Sequence, residues 1–112
     1  MLTFTAPSGS NVLVGQNERE NDYLTFNLAS TKDTWLHACG FPGAHVVLCG
    51  SDEGDISYAS LLAAKYSKAP KNELANIHVC NVIYVGKPSG ARNGTVTIDQ
   101  SFTKIVAVYN PL

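Results

Sequence analysis

The chain has 112 residues, of which 45% are hydrophobic and 15% charged; this excludes a disordered segment and sets a single domain with one modest core. The formal net charge of −1 excludes any argument for nucleic acid from bulk charge alone. There is no membrane-length apolar run and no signal peptide, and the three cysteines form no Cys-x-x-Cys pair, so a reducing, cytoplasmic compartment is expected.

Leu2 to Thr5 alternates as a short strand, Ala6 to Asn11 turns, and Val12 to Val14 forms a second strand ended by Gly15. Together they predict an N-terminal hairpin. A helix is expected over about Arg19 to Ala29, capped by Asn17 or Asn21, with Glu18, Glu20 and Asp22 suiting its positive end. Its buried stripe would be Tyr23, Leu24, Phe26 and Leu28. Residues 33 to 49 read as a strand (Thr34 to Cys39), a tight Gly/Pro turn and a second strand (Ala44 to Cys49).

The acidic loop Gly50 to Asp55 precedes a second helix over about Ile56 to Ser67. Tyr58, Leu61, Leu62, Lys65 and Tyr66 fall at i, i+3, i+4, i+7 and i+8 and predict its buried face, with Lys65 snorkelling. Ala69 to Asn76 reads as a link, and Ile77 to Val85 as a strand rich in β-branched residues. Gly86 to Gly94 is a glycine-rich loop, Thr95 to Ile98 and Lys104 to Tyr109 are the last strands, and Pro111 and Leu112 end the chain without a tail. The expected fold is α+β: one small domain over residues 1–112, a mainly antiparallel sheet with about two helices packed on it.

Strand alternation puts Trp35, His37 and Cys39 on one face, and His45, Val47 and Cys49 on one face of the partner strand. The hairpin therefore brings Trp35, His37 and His45 together if its register allows. His37, Cys39, His45 and Cys49 are donor types that zinc accepts, but His-x-Cys-x5-His-x3-Cys matches no zinc pattern, and no metal is expected. Asp33 is a candidate to orient His37 for acid–base work with His45, yet no serine or cysteine nucleophile completes a triad by recognised spacing. Charge is unevenly spread: residues 1–59 hold two basic and seven acidic side chains, and residues 60–112 hold six basic and two acidic ones. The loop Lys87-Pro88-Ser89-Gly90-Ala91-Arg92 has backbone N–H groups and cations suited to an anion, in an order that is not a Walker loop. Trp35, Tyr23, Tyr58 or Phe41 would stack bases if exposed.

Several segments occur in series from about residue 4 to residue 108: Val14-Gly15-x-Asn17, Asn21-Asp22-Tyr23-Leu24-Thr25, Ala29-Ser30, Asp33-x-Trp35-x-His37, Pro42-Gly43-Ala44-His45-Val46-Val47, Ala63-Ala64-x-Tyr66-Ser67-Lys68 and Lys87-Pro88-Ser89-Gly90-Ala91. In this series the chain resembles the NFACT-R domain. That is the RNA-binding-type domain of the ribosome-associated quality-control family, which includes proteins once labelled fibronectin-binding. Multidomain relatives bind the large ribosomal subunit and recruit tRNA for C-terminal tailing; their other domains are not in these 112 residues, so tailing is not implied. Two positions depart from the family pattern: Gln16 stands where arginine is usual, and Ala44 where serine is usual. The arginine would offer a bidentate phosphate contact that glutamine lacks.

The resemblance implies an RNA- or ribosome-binding module that contacts tRNA or rRNA backbone, in translation quality control or RNA modification. The expected RNA-binding residues are Asn17, Asn21, Asp22, Trp35, His37, His45, Lys87, Ser89 and Arg92, with no cofactor. Two alternatives stand beside it. One is an RNA-modifying or RNA-processing enzyme using His37, His45 and Asp33. The other is a protein-interaction or assembly domain that offers an exposed sheet edge.

Overall fold

The structure, a computed structural model, describes residues 1–111; Leu112 lies outside the described residues. The alternating segments at the N-terminus pair as expected. Strands β1 (Leu2–Thr5) and β2 (Asn11–Val14) form an antiparallel hairpin, with Leu2 opposite Val14 and Thr5 opposite Asn11. The central hairpin is also present, slightly shorter than expected, as β3 (Thr34–Ala38) and β4 (Val46–Leu48). Strand β4 pairs on its other side with β2. Strand β5 (Glu73–Asn81) pairs with β3, and β8 (Lys104–Asn110) closes the far edge. The result is one six-stranded sheet, ordered β1-β2-β4-β3-β5-β8, with every pair antiparallel. Strands β6 (Val85–Gly86) and β7 (Thr97–Ile98) form a separate two-stranded flap.

Strand β5 starts earlier than its β-branched run because its partner extends that far: Glu73 lies opposite Asn110, and the pairing continues to Val79 opposite Lys104. It ends at Asn81, where Val82–Tyr84 tighten into a 3₁₀ turn. The chain is therefore α+β, as read from sequence, and among the described residues no helix is long and apolar enough to cross a membrane.

The helices correct the expected boundaries and faces. The first helix is short: α1 spans Glu18–Tyr23, with the Asn17 side chain accepting from the Glu20 N–H at its start. It then widens into a π-helical turn over Leu24–Leu28, with the Ala29 N–H donating to the Leu24 carbonyl five residues back. The wider winding rotates the faces. Leu24 and Thr25 point inward, while Tyr23, Phe26 and Leu28, expected in the buried stripe, are exposed. Helix α2 spans Glu53–Lys65 and starts earlier than expected because Asp52 caps it, accepting from the Gly54 and Asp55 N–H groups at 2.9 and 3.2 Å. Its buried residues are Asp55, Ile56, Ala59, Ser60, Leu62, Ala63 and Ala64, and Tyr58 and Tyr66 pack half-buried against the same core; of the expected face, Leu62 is inside and Leu61 is not. Leu61 is 43% exposed, and Lys65 is exposed with its ammonium 5.5 Å from the Tyr66 ring. Small residues allow the helix to lie close on the sheet, with Ala59, Ala63 and Ala64 packed beside Leu62.

Both faces of the sheet carry a core. On one face α2 covers Val12, Leu36, Val46, Leu48 and Ile77. On the other, Leu24, Trp35, Val47, Cys80, Val82 and Val85 pack under the π turn and the β6–β7 flap. This explains why β4 is buried at every position instead of alternating.

Because Ala63 is fully buried and Leu61 is not, Ala63→Leu is expected to lower stability by about 1–3 kcal/mol, and Leu61→Ala by no more than about 0.5 kcal/mol. Urea midpoints of the two variants check this; the opposite order would restore the face expected from the apolar period.

Candidate functional site

The register of the central hairpin sets the site. Trp35 lies opposite Val47 and Leu36 opposite Val46, so His37 and His45 meet across the next position on the same face. The three rings touch: Trp35 stacks on His37 with centroids 5.7 Å apart, and His45 stands edge-on to Trp35 and His37 at 5.2 and 5.6 Å. The convergence expected from sequence is thus present.

His45 is tied from every side. Its backbone N–H donates to the Asn21 side-chain carbonyl at 3.0 Å, and its backbone carbonyl accepts from the Gly15 N–H at 3.1 Å. Its Nδ1 is 2.9 Å from the Thr25 hydroxyl, which the π turn delivers. The ring also faces the Gly94 backbone. Gly15 has no alternative here: a Cβ would sit 2.1 Å from the Asn21 Oδ1. Burial, and next the neighbouring His37, push the His45 imidazole down to about 4, against smaller opposing effects of Gly94, Asp22 and Asn21. Burial, followed by His78, also holds His37 below the usual histidine range. His78 faces His37 across the β3–β5 pairing. Trp35, His37, His45 and His78, roofed by residues 94–98, line a cleft of about 350 Å³.

The loop after β6 is clamped inward. The Lys87 ammonium donates to the Asp22 carboxylate at 3.1 Å, to the Thr95 carbonyl at 2.9 Å and to the Arg92 carbonyl. The Gly94 N–H donates to the same carboxylate at 2.7 Å. Burial raises the Asp22 carboxyl, but Gly94 and Lys87 outweigh it and hold it below the usual carboxylate range. All three ammonium donors of Lys87 are therefore occupied. Its role in this structure is to organise the loop, not to present a free charge.

A second groove of about 430 Å³, of mixed polar and apolar lining, lies beyond the β3–β4 turn. Three segments far apart in sequence build it. The Ala44 N–H donates to the Tyr66 carbonyl, and the Lys68 N–H to the Pro42 carbonyl. Gly43 is needed for that approach, since a Cβ would meet the Ser67 Cβ at 2.8 Å. Gln16, Asn17 and Glu18 form the opposite wall, and a shallower depression shared by Asn17 and Glu18 continues to Arg19 and Asn93.

The sequence-predicted residues thus fall into three sets. Asn17, Ser89 and Arg92 are exposed. Asn21, Asp22 and Lys87 are internal ties. Trp35, His37 and His45 line the cleft, but Trp35 and His45 are each only 2% exposed. Trp35 is therefore no free stacking surface; Tyr23 and Phe41 are the exposed aromatics among those considered, and Tyr58 is half-buried. Asp33 is not beside His37. Its carboxylate accepts from the Ser30 N–H at 2.9 Å, and four residues of extended strand, about 13 Å, separate the two positions. Among the described residues no three His, Cys, Asp or Glu side chains converge as metal ligands. Sequence reasoning missed Thr25, His78 and Lys68. Thr25 and Lys68 lie within segments that carry the family resemblance; His78 had no local signal.

A family described as the NFACT protein RNA binding domain matches residues 3–100. The Rqc2 homolog RqcH of Bacillus subtilis is 41% identical over 106 residues, 93% of this chain and 19% of that protein. RqcH of Streptococcus suis is 39% identical over 90 residues, 77% of this chain and 16% of that protein. The chain thus spans about a fifth of these relatives. Among solved structures, the C-terminal part of the fibronectin/fibrinogen-binding protein of Streptococcus suis superposes with a TM-score of 0.89 at 32% identity, over 96% of this chain and 44% of that one.

The depressed His45 value fixes a pH dependence. The unfolded chain binds a proton near pH 6.5 that the folded ring refuses until about pH 4, so stability is full above 6.5 and is lost as pH falls through that window. The loss expected is on the order of 3 kcal/mol. Urea midpoints measured from pH 7 to pH 4 check it, and a flat profile would contradict it.

Proposed function

The chain belongs to the NFACT protein RNA binding domain family, and from that premise we propose that it is a non-catalytic RNA- or ribosome-binding module. Residues 1–112 form one such domain. It contacts the backbone of tRNA or rRNA, in the cytoplasm, in translation quality control or RNA modification. One observation carries this reading. The groove is built by segments that carry the family resemblance and is lined by Lys68, its adjoining depression is lined by Arg19, and both are exposed cations with no ion-pair partner among the described residues, as is Arg92 on the loop after β6. Phosphates attract such free cations, and side-chain amides such as Asn17 add hydrogen bonds. Glu18 also lines the groove, so phosphate contacts fall to either side of it. Gln16 supplies a neutral amide where the family arginine would supply charge, which supports weaker binding than in relatives that keep the arginine.

The histidines fit this reading better than catalysis. His45 is buried and uncharged, its ring is bonded to the Thr25 hydroxyl, and Asp33 is elsewhere. A second reading, assembly with another protein, is favoured by the free edge of β8, beside which Leu74, Ile105 and Tyr109 are exposed. Ile105→Lys is expected to abolish any concentration-dependent association seen by sedimentation.

Filter binding to total tRNA and rRNA at several salt concentrations tests the RNA reading. Affinity is expected to fall steeply with salt, and Lys68→Ala and Arg92→Ala are each expected to reduce the slope of log K against log salt by about 1. Unchanged affinity and slope in Lys68→Ala would overturn the groove assignment.

A further inference from the structure

We propose that the histidine cleft takes one unstacked base of single-stranded RNA, while the second groove holds the adjoining backbone. This rests on the RNA-binding reading above. The cleft of about 350 Å³ is at the small end of ligand cavities, which run from about 300 to 1,000 Å³, a scale that suits one planar heterocycle. Its walls are aromatic. Trp35 covers one face of the His37 ring, at 5.7 Å and 15° between planes, and His37 is itself half-buried, so a base would extend an existing stack.

Trp35 itself is 2% exposed, and its Nε1–H is buried without a hydrogen-bond partner among the described residues, so an incoming base would meet the half-buried His37 ring and not the indole N–H. A bare phosphate fits less well, because burial keeps His37 and His45 below their ordinary values and so uncharged at neutral pH. The two sites share one wall. Gly40 borders the cleft, and Pro42, Gly43 and Ala44 border the groove, so a strand crossing this turn has backbone on one side and a base on the other. His78 stands at the half-exposed side of the cleft, opposite His37.

Trp35 is the only tryptophan, so its fluorescence reports on the cleft directly. The emission is followed while the protein is titrated with a short single-stranded RNA, the same RNA stripped of its bases, and double-stranded RNA. Intact single strands are expected to change Trp35 emission in step with binding; abasic and double-stranded RNA are expected to bind through the backbone and leave it unchanged. His78→Ala is expected to weaken single-strand binding about tenfold, within the range of one base stack, with abasic RNA unaffected. Binding without any emission change, or an equal change with abasic RNA, would overturn the base pocket and leave the RNA-binding reading intact. If no RNA binds even at low salt, the RNA-binding reading fails and the pocket fails with it.

Discussion

His45 is the constraint on which the rest of the structure depends. Its backbone joins the Asn21 side chain to the Gly15 N–H, and its ring joins Thr25 to the aromatic pair Trp35 and His37. Four segments therefore meet at one residue: the end of β2, the first helix, the π turn and the central hairpin. Each tie is a buried polar group with a partner, which is the condition under which such groups can be kept inside a core. The ring must stay neutral for this arrangement to hold. A proton on it would be a charge 5.6 Å from a second imidazole, in a site only 2% exposed.

Two surfaces are organised from that point outward. Holding the turn after β3 in place sets one wall of the second groove and one wall of the histidine cleft. The Asp22–Lys87 clamp fixes the opposite boundary by drawing residues 92–95 onto the first helix. Charge follows the same division: carboxylate and ammonium are spent inside the clamp, while Arg19, Lys68 and Arg92 are left at the surface. Under the RNA-binding proposal, these exposed cations supply the charge that a polyanion attracts.

Much of this was legible in the sequence, for local reasons. Period-two alternation and a Gly/Pro turn sufficed to bring Trp35, His37 and His45 to one face, and the antiparallel α+β fold followed from strand spacing. What failed was non-local. Lys87 reads as a free loop cation because its partner Asp22 lies 65 residues earlier. His78 gains meaning only once β5 is known to flank β3. Thr25 reaches His45 because the helix widens, and no residue pattern announces a π turn. Tyr23 and Leu28 were placed inside by an α-helical period that the chain does not keep there. On α2, the apolar period places Leu62, Tyr58 and Tyr66 against the core, but it also assigns a buried place to Leu61, which faces solvent.

The central claim, that a neutral buried imidazole ties these segments together, is tested most directly by following the His45 ring by NMR through a pH titration of the folded protein. The account predicts a midpoint near pH 4, with the ring neutral above it and the Thr25 hydroxyl and Nδ1 sharing a hydrogen bond. A midpoint near 6.5, the value of an ordinary exposed histidine, would contradict it, because the ring would then carry charge without disturbing the contacts said to depend on its neutrality.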